Sequence, residues 1–352
     1  MIGLSDCRDN CLLEEMSSIY QPVERYGHST VQVGNHLYMW GGRLPDSEKM
    51  KSMHSVVEVC HVPSGEWVQK PTTGDPPLGV EGYAAAVIRN EIFFYGGYNF
   101  FHDKHYHDSL YSFNVDTFNW KELSPTTSDP GPMMKSGSSM IAIKVNDEDY
   151  LAVIGGWGPS SNNTPKQPGA QYSERYDEWI SPTVTGDRPP PIYNFSLSSI
   201  TNTTAILFGG VAGHDRPIND NCTKFPNPGG SVQWPEGRHI HSSVLIDCGL
   251  GPHLLVVGGK GTKDCWLLNI NKMKWKKLTN IPNTVTNRYG HSLSVWNETQ
   301  TIHWIIVFGG FSSVTDTRLI KISHPPSTED ILDKKPQKSD PLDYSQVLLL
   351  II

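Results

Sequence analysis

Hydrophobic residues along this chain gather in short runs that stop at paired glycines. Six such runs occur: Leu37–Trp40 before Gly41 and Gly42, Ile92–Tyr95 before Gly96 and Gly97, and Leu151–Ile154 before Gly155 and Gly156. The other three are Ala205–Phe208 before Gly209 and Gly210, Leu254–Val257 before Gly258 and Gly259, and Ile305–Phe308 before Gly309 and Gly310. The spacings are 55, 59, 54, 49 and 51 residues, so the pattern is an internal repeat of about fifty. Each run is apolar on consecutive positions, which predicts a strand covered on both faces. Upstream, three repeats open alike, at Arg25–Ser29, Arg238–Ser242 and Arg288–Ser292. Downstream comes an alternating strand such as Ser109–Val115 or Asp264–Ile270, then a strand carrying Trp67, Trp120, Trp179 or Trp275. Four short strands joined by turns predict one antiparallel sheet per repeat.

The order Arg-x-Gly-His-Ser, apolar run, diglycine, alternating strand, Trp resembles the kelch repeat over about residues 22–324. The resemblance implies an all-β, six-bladed β-propeller, with four-stranded antiparallel blades around a central channel. In that frame the diglycine turns the chain where a Cβ has no room, and the Trp fills the space between blades. His28, His241 and His291 recur at one position and read as packing and hydrogen-bonding residues. Blade 4 is degraded: Val211–Trp234 is rich in proline and keeps no alternating strand, so only its inner pair of strands is expected. Blade 6 lacks a Trp strand, and residues near 11–20 are expected to supply it and close the ring, with a C-terminal strand as the alternative. The expected division is a tail over 1–10, the propeller over 11–324, and a polar linker with a short apolar stub over 325–352.

Composition narrows the function. The net charge of −7 argues against nucleic acid as the main partner. The longest apolar run, Val347–Ile352, is far below the roughly 20 residues that span a bilayer, so no membrane partner is expected. The opening residues show no charged segment followed by an apolar run, and the six cysteines form no Cys-x-x-Cys pair. We therefore expect a cytoplasmic or nuclear protein with reduced thiols and no zinc site. No nucleophile elbow or phosphate-cradling loop is present, so the chain reads as non-enzymatic and without a cofactor.

The candidate chemistry lies in loops. Those after the diglycines and those before each first strand emerge on one face, where function usually sits. The first set supplies Arg43, Tyr98, Phe100, Phe101, His102, Tyr106, Trp157 and Arg216; the second supplies Arg25, Tyr26, Arg188, Tyr193, Arg238, His239, Arg288 and Tyr289. Arginine and aromatic residues dominate interface hot spots and suit an acidic or C-terminal peptide. The competing reading is that the arginines bridge blades internally. His102, His105 and His107 with Asp103 and Asp108 have ligand chemistry, but their spacing fixes no common point, and no metal is expected.

Within the kelch group, Glu24–His28, Tyr38–Gly42 and Thr73–Pro77 are most similar to substrate-receptor proteins of cullin–RING ubiquitin ligases. That likeness implies elongin and cullin docking through a C-terminal box, which Pro341 and Leu342 could begin. Gln346 stands where the box carries a Cys, and blade 4 opens at Pro190 without the expected Arg. A scaffold that binds a protein or peptide is therefore the leading expectation, and a ligase receptor the second.

Overall fold

The computed structural model describes residues 13–14, 20–44, 55–77, 81–99, 105–124, 134–158, 170–173, 178–180, 191–212, 224–225, 233–247, 251–299, 302–311, 318–323 and 347–351. Among them lie six four-stranded antiparallel sheets, one for each diglycine, the second of which gains the short parallel strand Thr73–Gly74. In each sheet the strand that ends at the diglycine pairs with the strand before it, as in Ser29–Val33 with His36–Trp40. Helix is confined to the turn Asn283–Thr286 among these residues.

The first strands of the sheets touch neighbour to neighbour all the way round, and the sixth meets the first. A backbone hydrogen-bond ring fixes that closure. Gly82 N–H donates to Gly27 O, Gly137 to Gly82, Asn194 to Gly137, Ile240 to Asn194, Gly290 to Ile240, and Gly27 to Gly290, at 2.7–3.0 Å. All six residues hold φ between 55° and 67°, the left-handed turn that aims N–H one way around the channel and C=O the other. Glycine adopts it freely and asparagine tolerates it, whereas Ile240 occupies it against its β-branched side chain.

The diglycine forms a second seam. The second glycine of one sheet donates its N–H to the carbonyl two residues before the next sheet's ring turn, as Gly310 does to Arg25 and Gly259 to Arg288, both at 2.9 Å. The first glycine lies so close that a Cβ at Gly309 would collide with the Arg25 carbonyl, and its φ of 63° suits glycine as well.

The tryptophans follow one packing rule. Trp67 meets Phe308 at 5.4 Å, Trp120 meets Trp40 at 5.1 Å, Trp179 meets Tyr95 at 5.2 Å and Trp275 meets Phe208 at 5.0 Å between ring centroids. In every case the partner is the residue immediately before the diglycine of the preceding sheet. Among the described residues the fourth and sixth repeats place no tryptophan at this position (Trp234 of the fourth lies 6.2 Å from Trp275), and the residues before the preceding diglycines are aliphatic, Ile154 and Val257. Each cluster between sheets is a separate core, such as Tyr38, Trp40, Val57 and Val59 with Ile92, Phe94, Phe113 and Trp120.

Leu13–Glu14 pairs antiparallel with Arg318–Ser323, so the N-terminal segment supplies the outer strand of the sixth sheet, as the repeat arithmetic requires. In the fourth sheet the inner pair Ser196–Thr201 and Thr204–Phe208 is kept. Its third strand differs from expectation. Val347–Ile351, read from sequence as a short apolar stub outside the propeller, lies between Thr204–Phe208 and Lys224–Phe225. An apolar run is what a place covered on both faces demands.

Candidate functional site

One face of the ring is built from pairs in which the residue before each ring turn lies beside the residue after the diglycine. Tyr26 exchanges backbone hydrogen bonds with Arg43, and Glu81 with Tyr98. Ser136 pairs with Trp157, Tyr193 with Val211, and Tyr289 with Phe311. The fifth pair forms where Lys260 N–H donates to His239 O.

These twelve positions divide into two aromatic arcs and two polar gaps. One arc joins the sixth and first sheets. Tyr289 lies 5.2 Å from Phe311, Phe311 meets Tyr26 edge-on at 6.0 Å, and the Arg43 guanidinium sits 5.7 Å over the Tyr26 ring. The other arc runs over the second, third and fourth sheets: Tyr98 stacks near Tyr106 at 4.8 Å, and Trp157 against Tyr193 at 5.4 Å. Phe311 and Trp157, one in each arc, are 57% and 50% exposed, the two most open large apolar side chains among the described residues. Large aromatic groups left open on a folded surface mark contact sites.

The polar gaps face each other across the ring, three repeats apart. Glu81 fills one; burial pushes its carboxyl pKa up while Arg43 pulls it down, and among the described residues its Oε2 has no hydrogen-bond partner. Lys260 and His239 fill the other. Burial and the Lys260 charge both push the His239 imidazole down, and the Lys260 side chain is exposed. Lys135, at the arginine position of the third repeat, is pushed down to about 8 by burial.

The three repeat arginines correct the sequence reading. Arg25, Arg238 and Arg288 are 2%, 1% and 0% exposed, so their side chains do not reach the face. Each guanidinium donates to the first-glycine carbonyl of its own sheet: Arg25 to Gly41 at 3.3 Å, Arg238 to Gly258 at 3.0 Å, Arg288 to Gly309 at 3.0 Å. Arg25 also pairs with buried Glu58 at 3.2 Å, and Arg238 with Asp264 at 2.7 Å. They bridge elements within their own sheets, whereas the alternative reading from sequence had them bridging neighbouring blades. Tyr26, Arg43, Tyr98, Tyr106, Trp157, Tyr193, His239 and Tyr289 do lie together on the face. Phe100, Phe101, His102, Arg188 and Arg216 fall outside the described residues.

Glu81, Lys135, Lys260 and Phe311 were missed. Aligning the repeats on the ring turn, instead of on the Arg-x-Gly-His-Ser signature, places Glu81 in the Tyr26 column and Lys260 and Phe311 in the Arg43 column. Among the described residues no group of three or more His, Cys, Asp or Glu side chains is placed to hold a metal, and no helix is long and apolar enough to cross a membrane.

The KLHDC2/KLHL20/DRC7 Kelch-repeats domain model matches residues 6–210, more than half of the chain. The chain belongs to the kelch-repeat family. Among kelch relatives it is 24% identical over 323 residues to human Kelch domain-containing protein 1, covering 82% of this chain and 75% of that protein. It is 24% identical over 337 residues to bovine Kelch domain-containing protein 2, covering 84% and 78% respectively. Similarity to Drosophila melanogaster Host cell factor, 24% over 319 residues, covers 77% of this kelch chain but 20% of that much longer protein.

Proposed function

We propose that this kelch propeller is a non-enzymatic interaction module that holds an extended segment of another protein across its aromatic face. The observation that carries the reading is the exposure of Trp157 and Phe311 in two separate arcs of one continuous rim. A peptide lying across the opening would set apolar side chains against both arcs and a carboxylate near Lys260, which keeps an acidic or C-terminal segment as the preferred ligand. Cys60 and Cys265 are buried and, among the described residues, form no disulfide, which supports the cytoplasmic or nuclear setting expected from sequence.

Display of random peptides with internal or free C-terminal presentation tests this. Selected peptides should lose at least tenfold in affinity against Trp157→Ala/Phe311→Ala and against Lys260→Glu. They should bind normally to Arg89→Ala, which alters an exposed hairpin residue remote from the rim. Peptides indifferent to all three variants would place the binding face elsewhere.

The ligase-receptor reading rests on the resemblance and on a C-terminal docking box. Val347–Ile351 of that region is paired within the fourth sheet, so we do not assign it to elongin or cullin.

A further inference from the structure

Five of the six sheets take their third strand from the segment next in sequence after the diglycine strand: Val56–His61, Leu110–Asn114, Ala170–Ser173, Cys265–Asn269 and Arg318–Ser323. In the fourth sheet Val211–Ala212 makes the rim pairing common to the repeats, with Ile192–Tyr193, but the next described strand, Lys224–Phe225, does not pair with Thr204–Phe208. The place beside Thr204–Phe208 is then filled by residues 347–351. Five consecutive partners run antiparallel from Thr204 with Ile351 to Phe208 with Val347. On the far edge, Leu348 and Val347 pair with Lys224 and Phe225.

The receiving strand is demanding. Ala205, Ile206, Leu207 and Phe208 are all at most 3% exposed. Ile206 and Phe208 pack on one side against Leu254, Val256 and Trp275 of the fifth sheet, and Ala205 packs on the other against Ile141 and Ile143 of the third. A strand added at this edge enters between two covered faces, so its residues must be apolar at successive positions, as Val-Leu-Leu-Leu-Ile is. In sequence, residues 324–346 separate the resident strand from Arg318–Ser323 of the sixth sheet.

We propose that the fourth sheet is a strand-acceptor site for one extended, apolar, five-residue segment, and that residues 347–351 of this chain are its resident ligand, exchangeable for the same segment offered in trans. Recognition has two parts: a main-chain ladder along Thr204–Phe208, and apolar side chains on both faces of the incoming strand. In cis the tether raises the effective concentration of the strand, so an unlinked peptide competes only when the tether is cut.

The test uses the full chain with a protease site inserted within 325–340. After cleavage, the fragment containing 341–352 should co-elute with the body, and a fluorescein-labelled 341–352 peptide should replace it with saturable anisotropy. Peptides carrying Leu348→Pro or Leu349→Pro are compared with it. Successive residues turn their N–H groups to opposite edges, so one of the two removes a bond to Thr204–Phe208. That peptide should bind at least thirtyfold more weakly. The same substitution in the uncut chain should lower the melting temperature by several degrees. A dimer of uncut chains that dissolves with excess peptide would be the same site filled by a second copy. The proposal is overturned if the cleaved fragment elutes free with no change in melting temperature, or if both proline peptides bind as well as the parent, which would make the attachment unspecific apolar adhesion.

Discussion

Ile240 is the residue that most clearly works against its own chemistry. Five of the six ring turns are made by glycine or asparagine, and the sixth by a β-branched side chain at φ 55°. Asn194 already serves at the equivalent place in the fourth repeat, so Ile240→Asn should raise stability by about 1 kcal/mol in a denaturant titration. The buried arginines give the opposite expectation. Arg25→Ala leaves the Glu58 carboxylate in the core with Tyr20 and Gln69 as its remaining hydrogen-bond partners. It should cost about 3–5 kcal/mol, whereas Arg43→Ala on the rim should change unfolding little. Equal costs for the two in thermal melts would contradict these assignments. The three arginines were misread because a strand sends successive side chains to opposite sides. Arg25 and Tyr26 are adjacent, so the loop that presents the tyrosine necessarily turns the arginine inward, and residue type alone does not say which of the two faces out.

At the scale of strands and sheets, local sterics made the repeats legible. The diglycine marks where Cβ atoms cannot fit, and the tryptophan marks where a sheet needs a large body against its neighbour. Both signals belong to one residue and its immediate surroundings. The packing rule extends further, because a repeat without its tryptophan is preceded by Ile154 or Val257 in place of an aromatic residue. Trp275→Ala should therefore cost about 3–5 kcal/mol through the cavity it leaves against Phe208. The N-terminal strand was predictable because the sixth repeat showed one vacancy and the segment before Arg25 had the right place in the order. Deleting residues 1–16 should expose the Arg318–Ser323 edge and drive concentration-dependent association, measurable by light scattering. The place of residues 347–351 was not legible. Its register depends on a vacancy in a sheet well over a hundred residues away, which no local pattern encodes.

The whole molecule should be sensitive to acid. His28, His241 and His291 lie buried beside the channel, and burial together with neighbouring arginines pushes all three below the ordinary imidazole value, His291 to about 3. A folded-state pKa below the unfolded one means that the unfolded chain binds more protons at moderately acid pH. Their contribution is thus complete above about 6.5 and is lost as pH falls below it, for His291 down to about 3. Melting temperatures taken from pH 7 to 4 should drop steeply, and His291→Gln should flatten the drop. A profile unchanged by that substitution would remove His291 from the account.

The hydrogen-bond ring also has a consequence in time. Five of its links join repeats that leave the ribosome one after the other, so each can form as soon as the later repeat is made. The sixth, from Gly27 to Gly290, must wait for nearly the entire chain. Throughout synthesis the first repeat holds out an amide whose partner does not yet exist, and the N-terminal strand waits beside it for an edge that is translated later still. Birth of this protein is therefore the joining of its first repeat to its sixth, and the interval before that joining is when a chaperone would find it.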